Sequence, residues 1–197
     1  MTKRPGTGNK KSLPGRLRIV AGNWRSRLLE IADVPGLRPT SERVRETLFN
    51  WLAPRIEGAR CLDLFAGTGA LGLEALSRHA AECVFVENSS SAVHVLERNV
   101  KTLDAGGATI IEGDAKSFLG SASPHSFDII FLDPPFSADL LDELCRLVAE
   151  SGVLAADARV YLEQDRAQQP PELPPGWNVF REKTTGQVRY SLVEVSV

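Results

Sequence analysis

The sequence predicts an α/β fold, a mostly parallel sheet covered by helices on both faces. Three observations lead there. From residue 60 onward, short apolar runs alternate with helical stretches. The runs are apolar on consecutive residues, as strands buried on both faces are. Acidic residues and glycines recur just after the runs, where open α/β sheets bind ligands.

Residues 1–15 are polar, basic and rich in Gly and Pro, and are expected to be a flexible tail. Residues 16–55 read as a basic extension. Arg16-Leu17-Arg18-Ile19-Val20-Ala21-Gly22 alternates basic with apolar positions and ends on a turn glycine. Trp24-Arg25-Ser26-Arg27-Leu28 resumes the alternation, which predicts a hairpin. Thr40-Ser41-Glu42 supplies a hydroxyl cap and an acidic first turn to a helix with Val44, Leu48, Trp51 and Leu52 on one face. Arg43 and Arg45 fall outside that stripe, and Pro54 closes the helix.

Residues 56–197 carry the alternating pattern. Strands are expected at 61–65, 83–86, 109–111, 127–132 and 159–162. Helices are expected at 70–79, 91–103, 115–119 and 138–150. A proline-rich loop spans 170–176. Two last strands, 179–182 and 189–195, read as a closing antiparallel pair around Thr185-Gly186.

Composition excludes several function classes. The chain has 197 residues, 43% of them apolar, enough for one sizeable core. No apolar run approaches the roughly 18 residues of a membrane span, and no apolar segment follows the basic start as in a secretory signal. Cys61, Cys83 and Cys145 are odd in number and lack metal-ligand spacing. They read as buried thiols of a cytoplasmic protein, with no metal site. His79, His94 and His125 share no ligand spacing with them and read as structural or surface residues. No long apolar stripe is left over, and a monomer is expected. The charge is uneven. Residues 1–60 hold 13 Lys and Arg against 5 Asp and Glu, and the remainder holds 10 against 20. A basic arm on an acidic body implies an anionic partner.

The predicted strand ends carry the chemistry. The first strand runs into Asp63-Leu64-Phe65-Ala66-Gly67-Thr68-Gly69-Ala70-Leu71-Gly72. Its glycines let the backbone approach a ligand at a helix start. Gly67, Gly69 and Gly72 match a dinucleotide fingerprint, with Glu87 twenty residues on. Asp63 argues for a different adenosine ligand, because a carboxylate there repels pyrophosphate and suits a cationic amino-acid group. Glu87, ending the second strand, can accept from ribose hydroxyls. Asp114 in Gly113-Asp114-Ala115, ending the third, can accept from an adenine amine. Amino acid, ribose and adenine together describe S-adenosylmethionine. Three acids that merely cap helices or turns are the bland alternative.

The fourth strand ends in Asp133-Pro134-Pro135-Phe136. The prolines remove two N–H donors and leave carbonyl acceptors. Asp133 adds a carboxylate and Phe136 a ring face. Such a loop can hold the exocyclic amine of a nucleobase and stack the ring. A rigid turn with a buried Phe is the plainer reading. Arg16, Arg18, Arg25, Arg27, Arg38, Arg43 and Arg45 would then meet RNA phosphates.

Asp63 to Gly69 together with Asp133 to Phe136 resembles the class I S-adenosylmethionine-dependent methyltransferases, a Rossmann-like fold. Arg18-Ile-Val-Ala-Gly22, Trp24-Arg25, Arg38-Pro-Thr40 and Arg43-Val-Arg-Glu-Thr-Leu-Phe-Asn50 narrow the resemblance. They are similar to the bacterial RsmD family, guanine-N2 methyltransferases of 16S ribosomal RNA in the small subunit. The resemblance implies a seven-stranded sheet with an antiparallel last strand. It places Asp63, Phe65, Gly67, Gly69, Glu87, Asp114 and Ala115 around the cofactor and Asp133 to Phe136 around the target guanine. Related enzymes acting on adenine N6 usually carry Asn at the Asp133 position, so the Asp leans toward guanine.

Overall fold

A computed structural model of the chain describes residues 15–35, 37–124 and 126–196. Of the tail expected over residues 1–15, residues 1–14 lie outside the described residues, as does His125; Gly15 is described, and its carbonyl accepts from Ile31 N at 3.0 Å.

A two-stranded antiparallel hairpin opens the described chain, β1 (Arg16–Arg18) with β2 (Leu28–Glu30). Helix α1 (Glu42–Leu52) follows. Then come β3 (Arg60–Asp63), α2 (Ala70–Ser77), β4 (Glu82–Glu87), α3 (Ser90–Leu103), β5 (Ala108–Glu112) and α4 (Ala115–Leu119). The chain continues through β6 (Phe127–Leu132), α5 (Leu141–Ser151), β7 (Leu154–Asp165), β8 (Trp177–Thr185) and β9 (Val188–Val195).

The last seven strands form one sheet in the order β5-β4-β3-β6-β7-β9-β8. The first five in that order are parallel, and β9 runs antiparallel to both β7 and β8. Alternate residues of each strand enter opposite cores, as period-two geometry requires. Cys61, Phe85, Ile129, Phe131 and Tyr161 face α1, α2 and α3. Leu62, Val86, Ile130, Leu132 and Val160 face α4 and α5. Both sides of the sheet's centre are covered, which is why its central strands read as continuous apolar runs, whereas the edge strand β8 is largely exposed. The three cysteines are buried thiols.

Leu17, Ile19 and Leu29 of the hairpin and Val44, Leu48, Phe49 and Leu52 of α1 join the first of these cores. The basic extension is thus packed into the same interior as the sheet. Ser41 caps α1, its Oγ accepting from Val44 N at 3.3 Å.

Local departures from expectation have physical causes. Residues 23–26 turn rather than extend, because Asn23 N and Trp24 N donate to the Ser77 carbonyl and Ser77 Oγ at the end of α2. The second hairpin strand therefore starts at Leu28. Helix α5 starts three residues late. Phe136–Ala138 forms a 3₁₀ turn, and Asp139, at φ 46°, breaks it. Strand β7 begins at Leu154 because Phe127 pairs with it across a register shift.

Candidate active site

The sheet's order reverses at β3, whose chain successor β4 lies on one side and β6 on the other. This is the switch point where open α/β sheets leave a crevice. Asp63 at the end of β3 pairs in register with Phe131 of β6, so Asp133 follows two residues beyond its partner. The glycine loop and the Asp-Pro-Pro-Phe loop therefore leave the sheet side by side.

Asp63 is buried, and its Oδ2 accepts from Gly72 N at 3.1 Å. Burial, reinforced by the charge of Glu87, pushes its carboxyl up to about 7 against the pull of backbone amides. Gly69 caps α2 at φ 86°, a conformation that L side chains rarely adopt. Gly72 serves packing instead, since a Cβ there would sit 2.2 Å from the Phe85 ring and 2.6 Å from Cys83 Sγ. The third glycine of the apparent dinucleotide fingerprint is thus explained by helix–strand contact. Phe65 is half-buried against the second core.

Glu87 binds the glycine loop directly. Its Oε2 accepts from Gly67 N at 2.8 Å and its Oε1 from Ser89 N at 2.8 Å. Asp114 caps α4, Oδ1 accepting from Lys116 N and Ser117 N at 3.0 Å each and from Ser117 Oγ at 3.3 Å. The capping role offered as the bland alternative is therefore filled by all three acids, Asp63 in the first turn of α2, Glu87 at the turns of Gly67 and Ser89, and Asp114 at α4, where all three bonds use Oδ1. Ala115 opens the same helix and is buried. No Lys or Arg lies between Asp63 and Leu76. Acids at three successive strand ends around a glycine turn fit a ligand with an ammonium group and ribose and adenine donors. They do not fit a pyrophosphate.

In the second loop Pro135 O accepts from Ala138 N at 2.9 Å and Phe136 O from Gln168 Nε2 at 2.9 Å. Pro134 O has no partner among the described residues. Asp133 and Phe136 are half-buried, Pro134 is buried and Pro135 exposed. A cleft beside the loop is lined by Pro134, Pro135, Phe136, Glu163, Gln164 and Gln168.

Three further residues reach this loop, and the sequence reading did not single them out for the site. Thr40 Oγ1 lies 3.1 Å from Asp133 Oδ2 and 3.1 Å from Glu163 Oε2. Tyr161 donates its hydroxyl to Glu163 Oε2 at 2.7 Å. Burial raises the Asp133 carboxyl well above the carboxylate range, and the charges of Glu163 and Asp63 add to it. Burial also raises Glu163, opposed by the hydroxyls of Tyr161 and Thr40. The available signal was a glutamate directly after the apolar run Val160-Tyr161-Leu162.

Arg16, Arg18, Arg25, Arg27, Arg38 and Arg43 are exposed. Arg38 and Arg43 flank Thr40 along the chain and so lie near the second loop. Arg45 corrects the expectation of RNA contact, because it is completely buried. Its guanidinium bonds Glu74 Oε2 at 2.9 Å, Thr40 O at 3.1 Å and Arg18 O at 2.7 Å. Glu74 also accepts from Val20 N at 2.8 Å, Ala21 N at 3.0 Å and Arg78 Nε at 2.9 Å. This arginine fastens the extension to α2. Among the described residues no helix is long and apolar enough to cross a membrane.

Comparison with known proteins agrees with this geometry. The family profile described as "Conserved hypothetical protein 95" matches residues 17–194. The chain is 49% identical over 181 residues to ribosomal RNA small subunit methyltransferase D of Escherichia coli, covering 91% of this chain and 90% of that one. It is 42% identical over 184 residues to the protein of the same name from Haemophilus influenzae, covering 91% and 94%. A solved structure described as the putative methyltransferase yhhF from Escherichia coli superposes with a TM-score of 0.85 at 44% identity, covering 92% of this chain and 99% of that one. A profile match across nearly the whole chain and identities of this size place the protein in the "Conserved hypothetical protein 95" family, the RsmD family of methyltransferases.

Proposed function

We propose that the chain transfers a methyl group from S-adenosylmethionine to the exocyclic N2 of a specific guanine in 16S ribosomal RNA. Its substrate would be the small ribosomal subunit or an assembly intermediate. The observation that carries this reading is the pair of acceptors after β6, Asp133 and the unpartnered Pro134 carbonyl, set beside the glycine loop. The names of the relatives support the RNA class. S-adenosylmethionine, when bound, supplies a methyl group already activated on a cationic sulfur.

The protein's own part is placement and charge. Asp63 would face the ammonium group, Glu87 the ribose, and Asp114 with Ala115 the adenine. Asp133 and Pro134 O would each accept one hydrogen of the amine, which aims the nitrogen lone pair at the methyl. Positioning of this kind can supply roughly 7–11 kcal/mol of a barrier. The same acceptors stabilise positive charge as it develops on the nitrogen. The guanine must be unpaired or flipped, and stacking on Phe136 offsets part of a cost of a few kcal/mol. The exposed arginines of the extension would hold phosphates and fix orientation.

Transfer of labelled methyl to small subunits lacking the modification, followed by nucleoside analysis, tests the reading. N2-methylguanosine that disappears with Asp133→Ala, while S-adenosylhomocysteine still binds, is the expected result. N6-methyladenosine would keep the reaction and replace the target. No transfer to subunits or free RNA would overturn the proposal.

A further inference from the structure

Thr40 Oγ1 stands 3.1 Å from a carboxylate oxygen on each side, Asp133 Oδ2 and Glu163 Oε2. A hydroxyl has one hydrogen. It can donate to one carboxylate and, for the second contact to be a hydrogen bond, must accept from the other. The second carboxyl must then hold a proton. Thr40 is 3% exposed and Glu163 4%, so water does not readily take either role. The geometry is satisfied when the two acids hold one proton between them.

From this we infer that Asp133, Thr40 and Glu163 form a one-proton unit, in which Thr40 and Glu163 position Asp133 for the amine and set where its proton lies. The inference rests on the proposed methyl transfer to an exocyclic amine. Glu163 receives two hydroxyls, from Tyr161 at 2.7 Å and Thr40, whereas Asp133 has Thr40 alone among the described residues. The resting proton therefore sits on Asp133, directed at Thr40, and the charge sits on Glu163. Tyr161 stays a donor, since burial raises its hydroxyl well above the usual value. The other groups facing the unit are Asp63 on β3, which acts on Asp133, and Tyr190 on β9, which acts on Tyr161. Among the described residues the cation bonded to the unit is Arg45, through Thr40 O at 3.1 Å, and its charge is paired with Glu74 at 2.9 Å; like charges in one site then force one acid to stay protonated.

A protonated Asp133 keeps a carbonyl oxygen for one N–H of the amine, as an amide side chain would. As the bond from N2 to the methyl carbon forms and the bond from that carbon to sulfur breaks, the nitrogen becomes cationic and the sulfur neutral. The nitrogen then sheds one proton to the pair. Asp133 accepts it at the oxygen facing the amine while passing its own proton through Thr40 to Glu163. The pair ends neutral, with a proton on each acid, and returns one to water after product leaves.

Carboxyl-labelled protein, followed by carbon NMR across pH without substrate, tests the shared proton. Asp133 should titrate in two coupled steps in the wild type. In Glu163→Gln it should titrate in one step, shifted down by a unit or more. An Asp133 titration unchanged by Glu163→Gln would overturn the inference, whatever the enzyme's activity. In single-turnover transfer to subunits, Glu163→Gln should move the acid limb of the pH profile upward, because Asp133 must then be ionised to take the proton that Glu163 otherwise receives. Thr40→Val should lower the rate at least tenfold, and Thr40→Ser should recover most of it. Equal rates for the two Thr40 variants would remove the relay. A wild-type enzyme that transfers no methyl would sink the proposed function, while the NMR titration would still decide the shared proton.

Discussion

Arg45 and Glu74 make a 2.9 Å ion pair with neither side chain exposed to solvent. The pair links α1 to α2, and Glu74 extends the link to the hairpin through Val20 N and Ala21 N. Burial pulls the Arg45 guanidinium below its usual value, and Glu74 opposes the shift. Removing one member of such a pair strands the other. Arg45→Met should cost about 3 kcal/mol in urea unfolding. The salt dependence of RNA binding by the remaining folded protein should not change. A lower salt slope with intact stability would restore Arg45 to the RNA surface.

Asp63 makes stability and cofactor affinity respond to pH in opposite directions. Its folded carboxyl titrates at about 7, above the ordinary 3.8. Between those values the folded state holds a proton that the unfolded chain releases. The contribution is full below about pH 4 and is lost as pH rises through about 7. Ligand-free protein should therefore lose a few kcal/mol, order of magnitude, between pH 5 and pH 8 from this group. Asp63→Asn should flatten that slope in urea titrations. S-adenosylhomocysteine should bind the wild type more tightly at pH 8 than at pH 6, because its ammonium would face a charged Asp63. A pH slope of stability identical in Asp63→Asn would exclude this assignment.

Glu87 holds two backbone amides at 2.8 Å, one of them in the glycine loop. Truncation leaves both unpaired and removes the proposed ribose acceptor. Glu87→Ala should weaken S-adenosylhomocysteine binding by about 1–3 kcal/mol in calorimetry. Glu87→Gln keeps one acceptor and should lie between the two. Affinity equal to wild type in Glu87→Ala would take the residue out of the cofactor site.

The exposed arginines should act on RNA through charge alone. Each phosphate that an arginine no longer neutralises should reduce the slope of log affinity against log salt by about 0.7 for single-stranded RNA. The triple substitution of Arg16, Arg18 and Arg25 by Ala should therefore lower the slope by about 2 while leaving cofactor affinity unchanged. An unchanged slope in filter binding would place the RNA elsewhere.

Much of this was legible because it is local. The sheet strands announced themselves through apolar runs, the turns through glycine and proline, and the two loops through composition at strand ends. Arg45 was not legible. Helical spacing sets it beside Val44, Leu48 and Leu52, but only Glu74, on a later helix, makes a buried arginine tolerable. Thr40 was seen as part of a helix cap. Its place beside Asp133 depends on α1 packing over the sheet, an approach across 93 residues of chain. Glu163 was hidden for the same reason.

The hairpin's anchors have a consequence for the order in which the molecule is built. Its backbone amides at Val20, Ala21, Trp24 and Glu30 bond side chains 53 to 69 residues further along. A two-stranded hairpin is at best marginal alone in water. During synthesis the arginine-rich segment therefore emerges before anything it can dock on, and waits until α2 and α3 have been made. Its closure is a late step that joins distant parts of the chain. The arginine surface is then ordered only in a chain whose glycine loop and central strands are already folded, so an incomplete chain cannot present the ordered surface without the catalytic domain behind it.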